Sequence, residues 1–287
     1  MIPYVTLGAL RQFLSLEDDE TSDDAALVAF LLQSRRMIDA ATKREFVPSR
    51  RTLYFNHPSN NVICLPPHDL LEVYNLYDYN GASSIANSSY YLMSGDDHNL
   101  SPYSFIELAS TCSFSYTSDP RKSVQVDGYW GYHEDYSNSA WELIGASLSG
   151  SVSSAVTVFQ SGASDLPDEW GIPSRINLGH LLRVDDELVY VKGSGGTSDT
   201  FIVKRGVNGT TATSHASGVS IERYQVEPDV SQASLWLAAY LYHESKSPYT
   251  GKVIFPQFGN IQMPPELPEK VRETINRVKR KDIFAVL

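Results

Sequence analysis

The densest carboxylate run in the chain, Asp185-Asp186-Glu187, is the first place to look for chemistry. Several oxygens close together suit a hard cation such as calcium, or the hydroxyls of a sugar. The ligand spacing of a calcium loop is missing, so the plainer reading is a solvated two-residue turn that keeps two strands soluble. Further along, Arg205-Gly206-Val207-Asn208-Gly209-Thr210-Thr211, followed by His215 and Gly218, reads as a turn-rich loop between strands. Arg205, Asn208 and His215 are its candidates for contact with a partner. In the alternative, Thr210, Thr211 and His215 satisfy the loop's own backbone. Asn208-Gly209-Thr210 also matches a glycosylation acceptor, which a cytoplasmic bacterial product would not use.

A glycan hydrolase needs two carboxylates facing each other across a bond. Asp165, Asp168 and Glu169 share one loop, and nothing positions a partner opposite them. The seven histidines, His57, His68, His98, His133, His180, His215 and His243, are scattered, with no pair at metal-ligand spacing. There is no GxSxG, HExxH, P-loop or GxGxxG in a strand–helix context. The expectation is a non-enzyme with no catalytic residue, metal or cofactor.

The C-terminus stands apart in charge. Lys270, Arg272, Arg277, Lys279, Arg280 and Lys281 crowd a short helix, and Phe284, Val286 and Leu287 follow as an apolar tail. This is either a solvated helix face with a frayed end or a docking helix for an acidic or concave partner, with Phe284 and Leu287 as anchors. Of the 17 tyrosines, Tyr74, Tyr77, Tyr79, Tyr90, Tyr91, Tyr129, Tyr132 and Tyr136 fall in the first β-rich block. Tyrosine suits protein interfaces or, above a basic groove, base stacking. Ordinary sheet packing accounts for most of them.

The elements that position these residues follow from periodicity and punctuation. Thr6 to Leu14 is a short amphipathic helix. A second, capped by Ser22 or Asp23, runs to about Thr42 on an apolar stripe of Leu27, Val28, Phe30, Leu31, Met37, Ile38 and Ala41. Strand-like runs follow at Arg51 to Phe55, Val62 to Leu65, Leu70 to Tyr79, Ser89 to Met93, Ser104 to Leu108 and Ser123 to Tyr129, with a tight turn at Asn80-Gly81. A Ser/Gly/Ala-rich stretch, roughly 145–164, precedes short antiparallel strands at Leu181 to Val184, Leu188 to Lys192, Thr200 to Lys204 and Val219 to Tyr224. Helix returns after Pro228, capped by Asp229 or Ser231, and runs to about Glu244. A Phe/Gly/Pro-rich loop spans Ile254 to Pro265, and a last helix runs from about Pro268 to Lys281. The outer helices cannot bury their stripes on a small polar module, so they are expected to pack together. The expected fold class is α+β: a helical core built from the N- and C-terminal helices with a β portion, plus an inserted small antiparallel β domain. Residues 1–138 and 227–287 would form the core and 139–226 the insertion.

At 287 residues the chain is long enough to bury a core. With 34 acidic and 23 basic residues it carries a net charge of −11, which disfavours general DNA binding, since affinity for phosphates comes from Lys and Arg. No stretch reaches the roughly 18 apolar residues of a membrane span. The N-terminus lacks a signal peptide's basic and apolar regions, so the protein is expected to stay in the cell that makes it. The two cysteines, Cys64 and Cys112, are expected to be buried thiols rather than a disulfide.

Four stretches resemble the head–tail adaptor (connector) family of tailed bacteriophages. They are the opening Tyr4-Val5-Thr6-Leu7 with its short helix; the long helix ending Ile38-Asp39-Ala40-Ala41-Thr42-Lys43-Arg44-Glu45-Phe46; the strand and turn Val124-Gln125-Val126-Asp127-Gly128-Tyr129-Trp130-Gly131-Tyr132; and the helix start at Pro228. Their order and spacing carry the likeness across the proposed core. The resemblance implies a virion protein, made in the host cytoplasm, whose copies form a ring (commonly a dodecamer) in the neck beneath the portal protein. One end, often the C-terminal segment, would bind the portal, and the other would receive a stopper or tail protein. DNA would pass through the channel without specific binding, and no membrane is involved. The family has no catalytic residues to carry over. The segment 139–226 departs from the family's minimal pattern. The alternative is a tail, baseplate or receptor-binding protein whose β module binds a glycan.

Overall fold

The computed structural model describes residues 1–17, 21–94, 100–162, 164–167, 175–246, 252–255, 259–262 and 269–280. Five helices are present among them: α1 (Leu7–Phe13), α2 (Asp24–Thr42), α3 (Tyr136–Ser139), α4 (Pro228–Lys246) and α5 (Glu269–Val278). The strands are β1 (Ser49–Phe55), β2 (Val62–Cys64), β3 (Leu70–Asp78), β4 (Ser83–Ile85), β5 (Tyr90–Met93), β6 (Phe105–Leu108), β7 (Val124–Trp130), β8 (Trp141–Ser147), β9 (Val158–Gln160), β10 (Leu181–Val184), β11 (Glu187–Ser194), β12 (Thr200–Lys204), β13 (Ser220–Tyr224), β14 (Lys252–Phe255) and β15 (Gly259–Gln262). The ladders β1–β7, β3–β7, β3–β4, β2–β6, β5–β6, β10–β11, β10–β13, β11–β12, β9–β12 and β14–β15 are antiparallel, and the class is α+β as expected.

The chain divides into two compact units. The described residues within 1–44, 142–207 and 211–280 belong to the first, and those within 45–141 and 208–210 to the second. Compactness therefore groups the terminal helices with the β8–β13 module and sets the first β block apart. The expected partition, 1–138 with 227–287 against 139–226, draws its line elsewhere, and a division by insertion need not coincide with one by compactness.

In the first unit the two chain ends share an apolar interior. Leu10 of α1, Leu27 and Leu31 of α2, and Ala238, Ala239 and Tyr242 of α4 form one buried cluster. Polar side chains tie the same helices. Ser34 and Ser234 meet oxygen to oxygen at 2.8 Å, and Tyr242 Oη and Lys246 Nζ each donate to Asp23 at 2.8 Å. Asp23 stands at the N-cap of α2 with helical backbone angles and makes no side-chain cap bond; its Oδ2 instead accepts from α4. The helix α4 begins at Pro228 itself, one of the few positions where a missing N–H costs nothing. The six-stranded sheet of this unit has the order β8-β13-β10-β11-β12-β9 and curls until Ser149 N–H, just past β8, donates to Gln160 of β9 at 2.8 Å. Its interior holds Phe159, Leu182, Val184, Val189, Val191 and Ile221.

The second unit packs the four-stranded sheet β1-β7-β3-β4 on the three-stranded sheet β2-β6-β5. Trp130, Val124, Val126, Leu70 and Leu76 from the first meet Ile63, Ile106 and Leu108 from the second. The expected Asn80-Gly81 turn leads from β3 into β4, with φ of 58° and 89°.

The structure corrects several local expectations. Strands β4, β8 and β9 were not anticipated, and the Ile254 to Pro265 loop contains part of the β14–β15 hairpin. The cysteines are not buried: Cys64 is exposed and Cys112 half-buried, both as free thiols. Cys64 falls on the outward face of a strand, where alternation takes it away from the core.

Truncating Leu31, which is 1% exposed, should destabilise the first unit by about 3 kcal/mol. Val28→Ala, at a position 40% exposed, should cost well under about 1 kcal/mol. Urea unfolding followed by circular dichroism separates the two; equal losses would mean that the α2–α4 interface does not hold this unit.

Candidate functional site

The basic C-terminal helix is built into the fold. Along α5, Val271, Ile275 and Val278 recur at helical spacing and are buried, so the apolar stripe is spent within the first unit. The opposite face is left to water and charge: Lys270, Arg272, Arg277 and Lys279 are exposed, and Arg280 is half-buried. Two of these cations have neighbours on α4. Arg277 pairs with Asp229, and Lys270 Nζ lies 5.3 Å from the centre of the Trp236 ring. The end of α5 is anchored on the exit of α2, where Arg280 N–H donates to Thr42 O and Arg44 Nη1 to Val278 O, each at 3.0 Å. A guanidinium there also complements the negative end of the helix dipole. The remaining docking candidates, Lys281, Phe284 and Leu287, lie outside the described residues.

The two chemistry-bearing stretches of the β module converge. Asp185 (φ 50°) and Asp186 form the two-residue turn between β10 and β11, as expected. Glu187 does not belong to that solvated turn, because it is 1% exposed. Arg205 holds both its oxygens, Nε to Oε1 at 2.7 Å and Nη2 to Oε2 at 2.6 Å. Backbone N–H groups of Gly206 and Thr213 add bonds of 2.9 and 3.0 Å. His215 bridges the carboxylates, with Nε2 2.9 Å from Glu187 and Nδ1 2.7 Å from Asp185. Burial alone would raise the Glu187 pKa. The Arg205 guanidinium, the Thr213 N–H, His215 and the Gly206 N–H outweigh it and hold the carboxyl at about 2.

Arg205 also donates to the carbonyls of Ser153 and Val156 and lies over the Phe159 ring at 4.8 Å. Its side chain is 6% exposed, and that of His215 is 0% exposed. These two candidate contact residues therefore work inside the module, pinning both ends of the loop to one carboxylate. This differs from the backbone-satisfying role expected of His215, whose ring nitrogens face acids. An imidazole between two carboxylates has the ingredients of proton transfer, but it is sealed by its own partners with no room for a substrate. The third candidate, Asn208, belongs to the second unit. There its carbonyl accepts Arg50 N–H at 2.8 Å and its amide donates to Pro48 O at 2.9 Å, alongside the start of β1. Next to it, a Cβ on Gly209 would stand 2.0 Å from Arg50 O, so only glycine fits.

Asp165 accepts Asp199 N–H at 2.8 Å, a loop-closing bond; Asp168 and Glu169 lie outside the described residues. Among the described residues no group of three or more His, Cys, Asp or Glu side chains is arranged to hold a metal ion, and no helix is long and apolar enough to cross a membrane.

Lowering Glu187 from 4.5 to about 2 on folding makes a contribution that is full above the unfolded value and disappears as pH falls through the folded one. In Glu187→Gln the part of the stability lost between pH 4.5 and 2 should shrink by on the order of 3 kcal/mol. At pH 7 the variant should be weaker by roughly 3–5 kcal/mol, because Arg205 is left buried without its anion. Unfolding midpoints across that range measure both; parallel curves for variant and wild type would refute the assignment.

No family model matches the chain. No curated protein matches it either. A solved chain from a structure titled "Neck of empty GTA particle computed with C6 symmetry" aligns over 98% of this chain and 91% of its own, at 14% sequence identity and a TM-score of 0.43.

Proposed function

We propose that this chain is a structural head–tail adaptor of a tailed phage: a ring subunit in the virion neck, attached below the portal and receiving a stopper or tail protein on its other side. The observation that carries the reading is the shared core of the opening and closing helices. The adaptor-like stretches at Tyr4, at the exit of α2 and at Pro228 supply α1, α2 and α4, and these pack on one another through Leu10, Leu27, Leu31 and Ala238. Residues 139–226 are then an insertion carried by that core, within which the Glu187 cluster stiffens a loop.

The rival reading, a glycan-binding tail or receptor-binding protein, drew on the Asp185-Asp186-Glu187 run. The oxygens of Glu187 are engaged by Arg205, His215 and two backbone amides, which leaves that motive without its main ligand. The surplus of acid would keep passing DNA from adhering to the channel wall.

In this role Lys270, Arg272 and Arg277 on the outer face of α5 meet the portal together with Lys279, Arg280 and Lys281 that follow it in the sequence, and Phe284 and Leu287 anchor the tail. The buried stripe of Val271, Ile275 and Val278 supports it by holding the basic face rigid and outward. Deleting 282–287 should weaken binding to purified portal rings by at least about tenfold. Arg272→Glu with Lys279→Glu should weaken it further and make the residual binding less dependent on salt. Undiminished binding in both variants would overturn the docking role.

A further inference from the structure

The three-stranded sheet of the second unit is apolar on both faces. Its inward side chains, Ile63, Ile106, Leu92 and Leu108, join the core. On the outward side the register sets Tyr91 beside Glu107 and Glu107 beside Val62, then Met93 beside Phe105 and Phe105 beside Cys64. Tyr91 is 63% exposed and Met93 39%. Cys64 is exposed, and Val62, Phe105 and Glu107 are half-buried. An antiparallel sheet with one wet face alternates apolar and polar residues. Here the outward positions are Tyr, Met, Phe, Cys and Val around a single carboxylate, a face that calls for a second layer.

Pairing this face with itself about a two-fold axis would drive Glu107 toward its own counterpart in apolar surroundings, an unfavourable contact. The occupant must instead bring apolar side chains and one cation. This chain displays such a surface on α2. Ala25, Ala29, Leu32, Arg36 and Ala40 fall at i, i+4, i+7, i+11 and i+15, with Val28 at 40% exposure beside them, and none of them belongs to the α2–α4 core. Among the described residues neither Arg36 nor Glu107 has an ion-pair partner. We propose that α2 of one copy packs on the outer β2-β6-β5 face of the next copy, with Arg36 reaching Glu107. Because the two patches differ, the contact repeats head to tail and closes into a ring or continues as a filament. The inference deepens the ring reading and rests on it only for closure.

A face this small is well below the roughly 20–30 residues of a standard interface, so the contact is best trapped. In the full chain with Cys112→Ser, Ala29→Cys should cross-link to the native Cys64 of a neighbour under mild oxidation. A non-reducing gel should then show a ladder of dimer, trimer and larger species that vanishes with Cys64→Ser. Arg36→Glu or Glu107→Lys should each cut the ladder by roughly tenfold, and the two together should restore it; melting curves check that each variant is folded. No ladder, a ladder stopping at dimer, a cross-link confined to one copy, or no rescue by the charge swap would each overturn the proposal. Portal binding scored separately distinguishes this failure from failure of the adaptor reading.

Discussion

Ser34 and Ser234 are separated by 200 positions, yet their hydroxyls meet at 2.8 Å, both fully buried. A hydroxyl in an apolar helix interface is unfavourable unless it finds a partner, and these two find each other. Around them Leu31, Ala238 and Ala239 exclude water. The small side chains of α4 let the two helices approach closely enough for serine to reach serine. The other helices of the first unit gather on that approach. The helix α1 lies against the pair through Leu10, and α5 packs beside α4 and α2 with Val271 and Ile275 buried. In the chain the β8–β13 module lies between α3 and α4.

The module itself solves a different problem. Its strands are short, and its loop from Arg205 to His215 has little apolar content to fix it. A single buried carboxylate does the fixing. Glu187 receives Arg205 and Gly206 from one end of the loop and Thr213 and His215 from the other, while Arg205 reaches on to Ser153 and Val156. A buried ion cluster is weak evidence for net stability, because desolvation consumes much of the attraction. What it supplies is uniqueness: with one partner removed the others are stranded, so alternative loop conformations are disfavoured.

The helices and the strong strands were legible because period and punctuation agree with burial there. The stripe of α2 and the alternation of β7 each point at a core that exists. The weak strands β4, β8 and β9 were not legible. β4 and β9 are only three residues long, β8 is interrupted by Gly145 and runs into a Ser-rich stretch, and their pairing is dictated by neighbours distant in sequence. The misreading of Asp185-Asp186-Glu187 has the same root. Adjacent residues leave a hairpin turn on opposite sides of a strand, so two acids stay in water while the third turns inward. The only sequence signal for that was the later Arg205 and His215, and composition does not reveal that a loop will fold back on a given carboxylate. The docking candidates divide likewise: the amphipathy of α5 could be read, whereas the pairing of Arg277 with Asp229 depends on how α5 lies against α4.

Two sheet faces of the second unit carry exposed aromatic residues, and their electrostatics separate them. On the outer face of the four-stranded sheet Tyr54 and Tyr74 are 54% and 41% exposed, but the charges there are already matched. Arg50 pairs with Asp127 at 2.9 Å and stacks over Tyr74 at 3.7 Å, and Asn75 completes the carboxylate's shell at 3.4 Å. Such a face is self-sufficient in water, and covering it would gain apolar contact at the cost of desolvating a satisfied pair. The outer face of the three-stranded sheet has the opposite balance. Tyr91, Met93 and Cys64 are exposed there, Val62 and Phe105 are half-buried, and its one carboxylate has no ion-pair partner among the described residues. Exposure alone would rank the two faces together. The state of their charges decides which one gains by being covered, and it dictates the sign of the charge that must arrive.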